Sequence, residues 1–253
     1  MRAVWMKSAP SHAGGAGGVF RNLWRRSRGS VSLLIVGICT VLFVAVGLLD
    51  LFRIVSSRQA VSLLGLSYVG IVRHFWLYQF LTAPLLHGGV THLLFNMLSL
   101  WMLGPAVERH LGRVRYIIFT LLCAECSMMG FLILSWGTGS ITLGYSGVIF
   151  GILVAQAILY PNSLLVIFAL FPLKMKYAVL LMGGIELYLT LGPQGDRIAH
   201  VAHLFGALAA LGYFKAPGLL RLMLGRNRVR PVPKVIIHRP PQSKGRFRIP
   251  KEL

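Results

Sequence analysis

Residues 144–162 read Gly-Tyr-Ser-Gly-Val-Ile-Phe-Gly-Ile-Leu-Val-Ala-Gln-Ala-Ile-Leu-Tyr-Pro-Asn. A serine bracketed by glycines opens an uncharged apolar run, and Pro161-Asn162 stops it, so a helix is expected from about Ser146 to Tyr160. At 1.5 Å per residue this helix rises about 21 Å, against a hydrocarbon core of about 30 Å. With its far end at one membrane interface, Ser146 would lie roughly 10 Å below the other. The Gly/Ser/Thr-rich loop 136–145 must then dip into the membrane. Irregular backbone is tolerated at that depth only where protein buries it or water fills a cavity. A sunken, water-reachable serine follows from these lengths.

The composition agrees with a membrane setting. Of 253 residues, 56% are hydrophobic and 13% charged, against about 25% charged in soluble domains. The expected fold is an all-α membrane protein with six transmembrane helices, over about 31–49, 91–107, 116–135, 146–160, 177–191 and 198–214. The long connection 50–90, with Arg53, Arg58, Arg73, His74 and Trp76, is partly apolar and reads as a 1–2 loop embedded in the membrane interface. Residues 163–176, broken by Pro172 and charged at Lys174 and Lys176, read as an interfacial re-entry. Cys39, Cys123 and Cys126 sit in apolar runs. The C-x-x-C spacing of the last two has no second ligand pair, so all three read as small packed residues.

The formal charge of +20 would point to nucleic acid on a soluble protein. Here the distribution matters more. Arg53, Arg58, Arg73 and Arg197 lie in the 1–2 and 5–6 loops, while the other 22 of the 26 Lys and Arg lie in the N-terminal lead, in the 2–3 and 4–5 loops, and from Lys215 onward, beyond helix 6. The positive-inside rule therefore puts both termini in the cytoplasm, with a bacterial inner membrane or an organelle membrane as the setting. The chain divides into a basic lead (1–30), a six-helix membrane domain (31–215) and a basic tail (216–253). The lead has no acidic residue before Asp50 and also fits a mitochondrial presequence; a short cytoplasmic tail is the preferred reading. The C-terminal tail, Pro-rich with ten Lys and Arg and only Glu252 acidic, cannot bury a core and is expected to be disordered. Anionic lipid headgroups would attract it. With only Phe247 for stacking, no nucleic-acid partner is expected.

Helices 2, 4 and 6 start on the same side in this topology, and the informative polar residues all lie near those starts. His92 and Asn96, spaced i, i+4, share a helix face. Ser146 opens helix 4, and His203 lies slightly over one turn into helix 6. A serine hydroxyl needs a base, and neutral imidazole suits that role near pH 7. The oxyanion of a tetrahedral intermediate needs fixed donors, which His92, Asn96 and the Ser146 N–H could supply. Gly144 and Gly147 would allow a sharp turn and close approach. No Asp or Glu is evidently placed to orient His203, so the sequence reads as a Ser–His dyad. Glu125 and Glu186 lie within helices 3 and 5 with no partner to name. No cofactor is called for. A metal site built from His87, His92, His200 and His203 is the weaker alternative, because no carboxylate or cysteine completes it.

Over about residues 70–215 the chain resembles the rhomboid intramembrane serine proteases. The resemblance is carried by His87-Gly88-Gly89-Val90-Thr91-His92-Leu93-Leu94-Phe95-Asn96-Met97, Gly104-Pro105-Ala106-Val107-Glu108-Arg109, Gly144-Tyr145-Ser146-Gly147 and Ala202-His203-Leu204-Phe205-Gly206. It implies that Ser146 is the nucleophile, His203 the base, and His92 and Asn96 the oxyanion donors, with His87 and Gly206 in support. Glu108 and Arg109 match a structural position on the cytoplasmic side. The implied substrates are transmembrane segments of other proteins, and the rival is a non-proteolytic relative that binds membrane clients. Two departures stand out: Tyr78-Gln79 where many members have Trp-Arg, and Ala210 where the last small residue of the final helix is commonly glycine.

Overall fold

The computed structural model describes residues 29–167, 171–191 and 197–215. Its helices are α1 (Val31–Leu51), α2 (Ser57–Leu64), the short α3 (Gln79–Thr82), α4 (Val90–Leu111), α5 (Arg113–Leu134), α6 (Ser146–Leu159), α7 (Met175–Leu191) and α8 (Arg197–Lys215). Three of them, α1, α4 and α5, are long and apolar enough to cross a membrane, and α6 is a shorter apolar helix. Their outward faces leave Leu34, Val41, Leu94, Val114 and Ile133 exposed, and α7 does the same at Leu180 and Tyr188. Such a surface would be an aggregation hazard in water and suits lipid.

The α6 helix is the centre of the molecule. Gly147, Val148, Ile149 and the run Gly151–Gln156 are all buried, and α6 packs against α4, α5, α7 and α8. A helix that is apolar all round has to be enclosed in this way or exposed to lipid. Its one interior amide, Gln156, is satisfied by donating to the Leu103 carbonyl at 2.7 Å. The backbones of α6 and α8 come close because both helices carry glycine at the crossing. A Cβ at Gly206 would collide with the Gly147 carbonyl oxygen, and one at Gly147 with the Ser127 side chain. Ala210, one turn further along α8, is fully buried in the main core, so alanine there leaves no exposed gap.

Helix α1 is held at its N-terminal end by Glu108 of α4. That carboxylate accepts from the Ser30 hydroxyl (2.6 Å), the Val31 and Ser32 amides (2.8 and 3.1 Å) and the Ser32 hydroxyl (3.0 Å). It thereby satisfies helix-end amides that have no intrahelical partner and complements the positive end of the helix dipole.

Three local features differ from the sequence expectation. The basic segment 109–113 is not a loop: α4 continues to Leu111, and Gly112 alone, with φ +79°, separates it from α5. Basic side chains suit the C-terminal end of a helix, and glycine reaches positive φ without steric cost. Secondly, the chain is not purely α-helical. Within the segment 163–176, expected as an interfacial re-entry, β3 (Leu164–Ile167) and β4 (Phe171–Lys174) pair antiparallel, with Pro172 opposite Val166. An edge position tolerates a proline, which lacks the N–H donor.

The third feature concerns the 1–2 connection. A two-residue pairing of β1 (Leu66–Ser67) with β2 (Ile141–Thr142) ties it to the loop before Gly144. The departure at Tyr78-Gln79 proves to be an anchor of a different kind. Gln79 is fully buried, accepts from the Ser67 amide (3.2 Å) and donates to the Leu63 carbonyl (3.0 Å), which Tyr78 Oη also reaches at 3.0 Å.

Candidate functional site

The sequence-predicted residues converge at the N-terminal ends of α4, α6 and α8. Ser146 is the first residue of α6 and half-buried. Its Oγ lies 2.8 Å from Nε2 of His203, which α8 carries in its second turn. On the other side of the serine, Gly144 has φ +115°, a conformation that side chains rarely adopt. A Cβ there would stand 2.6 Å from the His92 ring and 3.8 Å from Asn96 Nδ2. The glycine therefore lets His92 and Asn96 close over the backbone two residues before Ser146. That backbone is itself pinned, the Gly144 amide donating to the Ala83 carbonyl at 2.9 Å.

Asn96 is buried, and its Nδ2 has no hydrogen-bond partner among the described residues. An unpaired buried donor is costly and calls for an explanation in the site's chemistry. His87 is also buried. Its ring lies 5.1 Å from that of His92, and neither of its nitrogens has a partner among the described residues. Burial, with the His92 ring beside it, pushes His87 down to about 4, so it is uncharged at neutral pH.

Two neighbours of His203 were not foreseen. Phe150, one turn beyond Ser146 on α6, stacks on the imidazole with ring centroids 4.8 Å apart and planes within 9°. Its i+4 spacing from the serine is the signal that could have found it. The second is Glu186 of α7. Its Oε1 lies 3.2 Å from His203 Nδ1, close enough for an ion pair though not aligned as a formed hydrogen bond, and its Oε2 lies 2.7 Å from His200 Nδ1. His203 therefore has the carboxylate neighbour that the sequence reading left it without. Only the fold brings α7 and α8 together with these faces opposed.

Glu186, His200 and His203 each offer one possible metal-ligating atom, all within 4.8 Å of one another. The set differs from the four-histidine alternative: it adds a carboxylate, and His87 and His92 form a pair of their own. Both carboxylate oxygens already face imidazole Nδ1 atoms, so polar contacts between Glu186 and the two rings account for the cluster. Cys39, Cys123 and Cys126 are free; Cys39 and Cys123 are buried.

A helical membrane protein with a serine and a histidine in hydrogen-bond contact at converging helix ends is the class that fold and site define. The family model described as "Rhomboid domain" matches residues 74–217, and the chain belongs to the rhomboid family. Among curated proteins it is 28% identical over 156 residues to Rhomboid-like protein 15 of Arabidopsis thaliana, covering 56% of this chain and 37% of that protein. It is 30% identical over 103 residues to Rhomboid protease GlpG of Enterobacter sp. (strain 638), covering 41% of this chain and 35% of that one. The chain thus spans little more than a third of either relative's length.

Proposed function

We propose that the protein is a serine endopeptidase that cleaves transmembrane segments of other membrane proteins inside the bilayer. The observation that carries this reading is the 2.8 Å contact between Ser146 Oγ and His203 Nε2. A serine and an imidazole within hydrogen-bond reach form the minimum unit of nucleophilic acyl transfer. Ser146 Oγ attacks the scissile carbonyl carbon while its proton passes to His203 Nε2. The carbonyl oxygen becomes an oxyanion that accepts from Asn96 Nδ2, His92 and the Ser146 amide. Collapse breaks the C–N bond, and His203 gives its proton to the departing amine. Water, deprotonated by the same nitrogen, then hydrolyses the acyl-enzyme. The unpaired Asn96 donor and the bare Gly144 backbone beneath His92 support this assignment.

The reading includes a six-span bundle with a membrane-embedded 1–2 loop, both termini cytoplasmic, and a site opening toward the opposite side. It needs no cofactor. Its partners are transmembrane substrates and lipid, and its setting is a bacterial inner membrane or an organelle membrane. Purified full-length chain in detergent should be labelled at Ser146 by a fluorophosphonate probe and should cleave a reporter transmembrane substrate. Ser146→Ala and His203→Ala should each abolish both while leaving membrane insertion intact. Undiminished cleavage by either variant would sink the proposal.

A further inference from the structure

We infer that Glu186 is a positioning residue that fixes the tautomer of His203, making the site a Ser146–His203–Glu186 relay with His200 holding the carboxylate. The inference deepens the protease reading and rests on it for its catalytic meaning. Glu186 is buried, 8% exposed, within an apolar helix. An unpaired carboxylate there would be costly, and such groups are paired or functional. Its partners are two imidazoles of α8, His200 and His203, spaced i, i+3 so that both rings meet the same side of α7.

The chemistry follows from which atoms face each other. An ionised carboxylate can only accept hydrogen bonds, and a neutral imidazole carries one N–H and one lone pair. Oε1 faces Nδ1 of His203 and Oε2 faces Nδ1 of His200. Both rings are therefore favoured with hydrogen on Nδ1. That leaves His203 Nε2 with its lone pair toward Ser146 Oγ, 2.8 Å away. In the other tautomer Nε2 would carry hydrogen and could not take the serine proton. When that proton moves from Oγ to Nε2, the Nδ1 hydrogen stays in place, and the positive imidazolium lies beside the carboxylate. His200, at 2.7 Å, restrains the second oxygen so that the carboxylate cannot rotate away. Phe150, stacked on the face of the His203 ring, hinders the ring from tilting out of its plane.

The test compares wild type with Glu186→Ala, Glu186→Gln and His200→Ala, all full-length. Glu186→Ala should lower kcat by about 10²–10³-fold, within the range of a general base lost or held in the wrong tautomer, with little change in KM. The isosteric Glu186→Gln should recover part of that loss, because its carbonyl can still accept from His203 Nδ1–H, while its amide can donate to His200 Nδ1 once that ring moves its hydrogen to Nε2. His200→Ala should be much milder than His203→Ala. Nitrogen-15 NMR of the ring nitrogens should show His203 with Nδ1–H in wild type and a mixture of tautomers in Glu186→Ala. A Glu186→Ala enzyme with wild-type kcat, or an unchanged His203 tautomer, would overturn the assignment. If wild type neither labels nor cleaves, the protease reading falls separately, and the NMR comparison still decides whether Glu186 sets the ring.

Discussion

Asn96 shows how a residue's surroundings turn a plausible side chain into a defined role. An amide in a membrane helix is commonly interhelical glue. This one is buried with an unpaired Nδ2 and faces the bare backbone of Gly144, two residues from the proposed nucleophile. A donor held without a partner in the resting site is free to bind charge that appears only in the transition state. Asn96→Ala should accordingly lower kcat by about 10²–10³-fold, the usual cost of one oxyanion donor. KM should change less, and steady-state kinetics on a reporter substrate would read the split. A change confined to KM would assign Asn96 to substrate binding instead.

Between elements, the decisive contact is the crossing of α6 and α8, since it sets the distance from Ser146 to His203. The two helices touch through Gly147 and Gly206, where a Cβ on the latter would collide with the former's carbonyl oxygen. Backbone there cannot give way as a flexible side chain would. Gly206→Ala should force the helices apart, costing about 1–3 kcal/mol as overpacking does and lowering cleavage by lengthening the serine–histidine contact. Gly212→Ala, on the same helix with open space around it, is the control. Thermal unfolding in detergent and cleavage rate would be compared for the two. A Gly206→Ala protein as stable and active as Gly212→Ala would show that the crossing is not so constrained.

For the whole molecule, the proposed site and the basic tail lie on opposite sides of the membrane in the proposed topology. Residues 216–253 lie outside the described structure, and their composition is the guide: ten Lys and Arg against Glu252. Anionic lipid attracts such a segment by about 1 kcal/mol per basic residue near the surface, and salt screens the attraction. Deleting 221–253 should leave cleavage in neutral liposomes unchanged while removing any dependence on anionic lipid. The two lengths of enzyme would be measured in the same liposomes. Abolished activity in a truncated protein that still folds and inserts would make the tail part of the catalytic machinery.

Much of this was legible from the chain alone because the informative signals are local. Hydropathy marks α1, α4 and α5 as spans, since a helix facing lipid must be apolar along its own length. The positions of Ser146, His92, Asn96 and His203 at helix starts are likewise readable from where apolar runs begin. What failed was also local in part: Gly112 closes α4 in one residue, and residues 164–167 pair as a strand with 171–174. Short apolar runs do not declare their pairing. The role of Gln79 and the partnership of Glu186 were beyond reach for a different reason. Each depends on which face of one element meets another, 16 residues away for Gln79 and Leu63, 14 for Glu186 and His200. By itself the sequence determined that this is a helical membrane protein with a serine, histidines and an amide at the mouths of its helices. Only the tertiary structure decided that the serine touches His203 and that a buried carboxylate stands behind that histidine. Helix rotation is set by packing against neighbours, and no single helix carries that information.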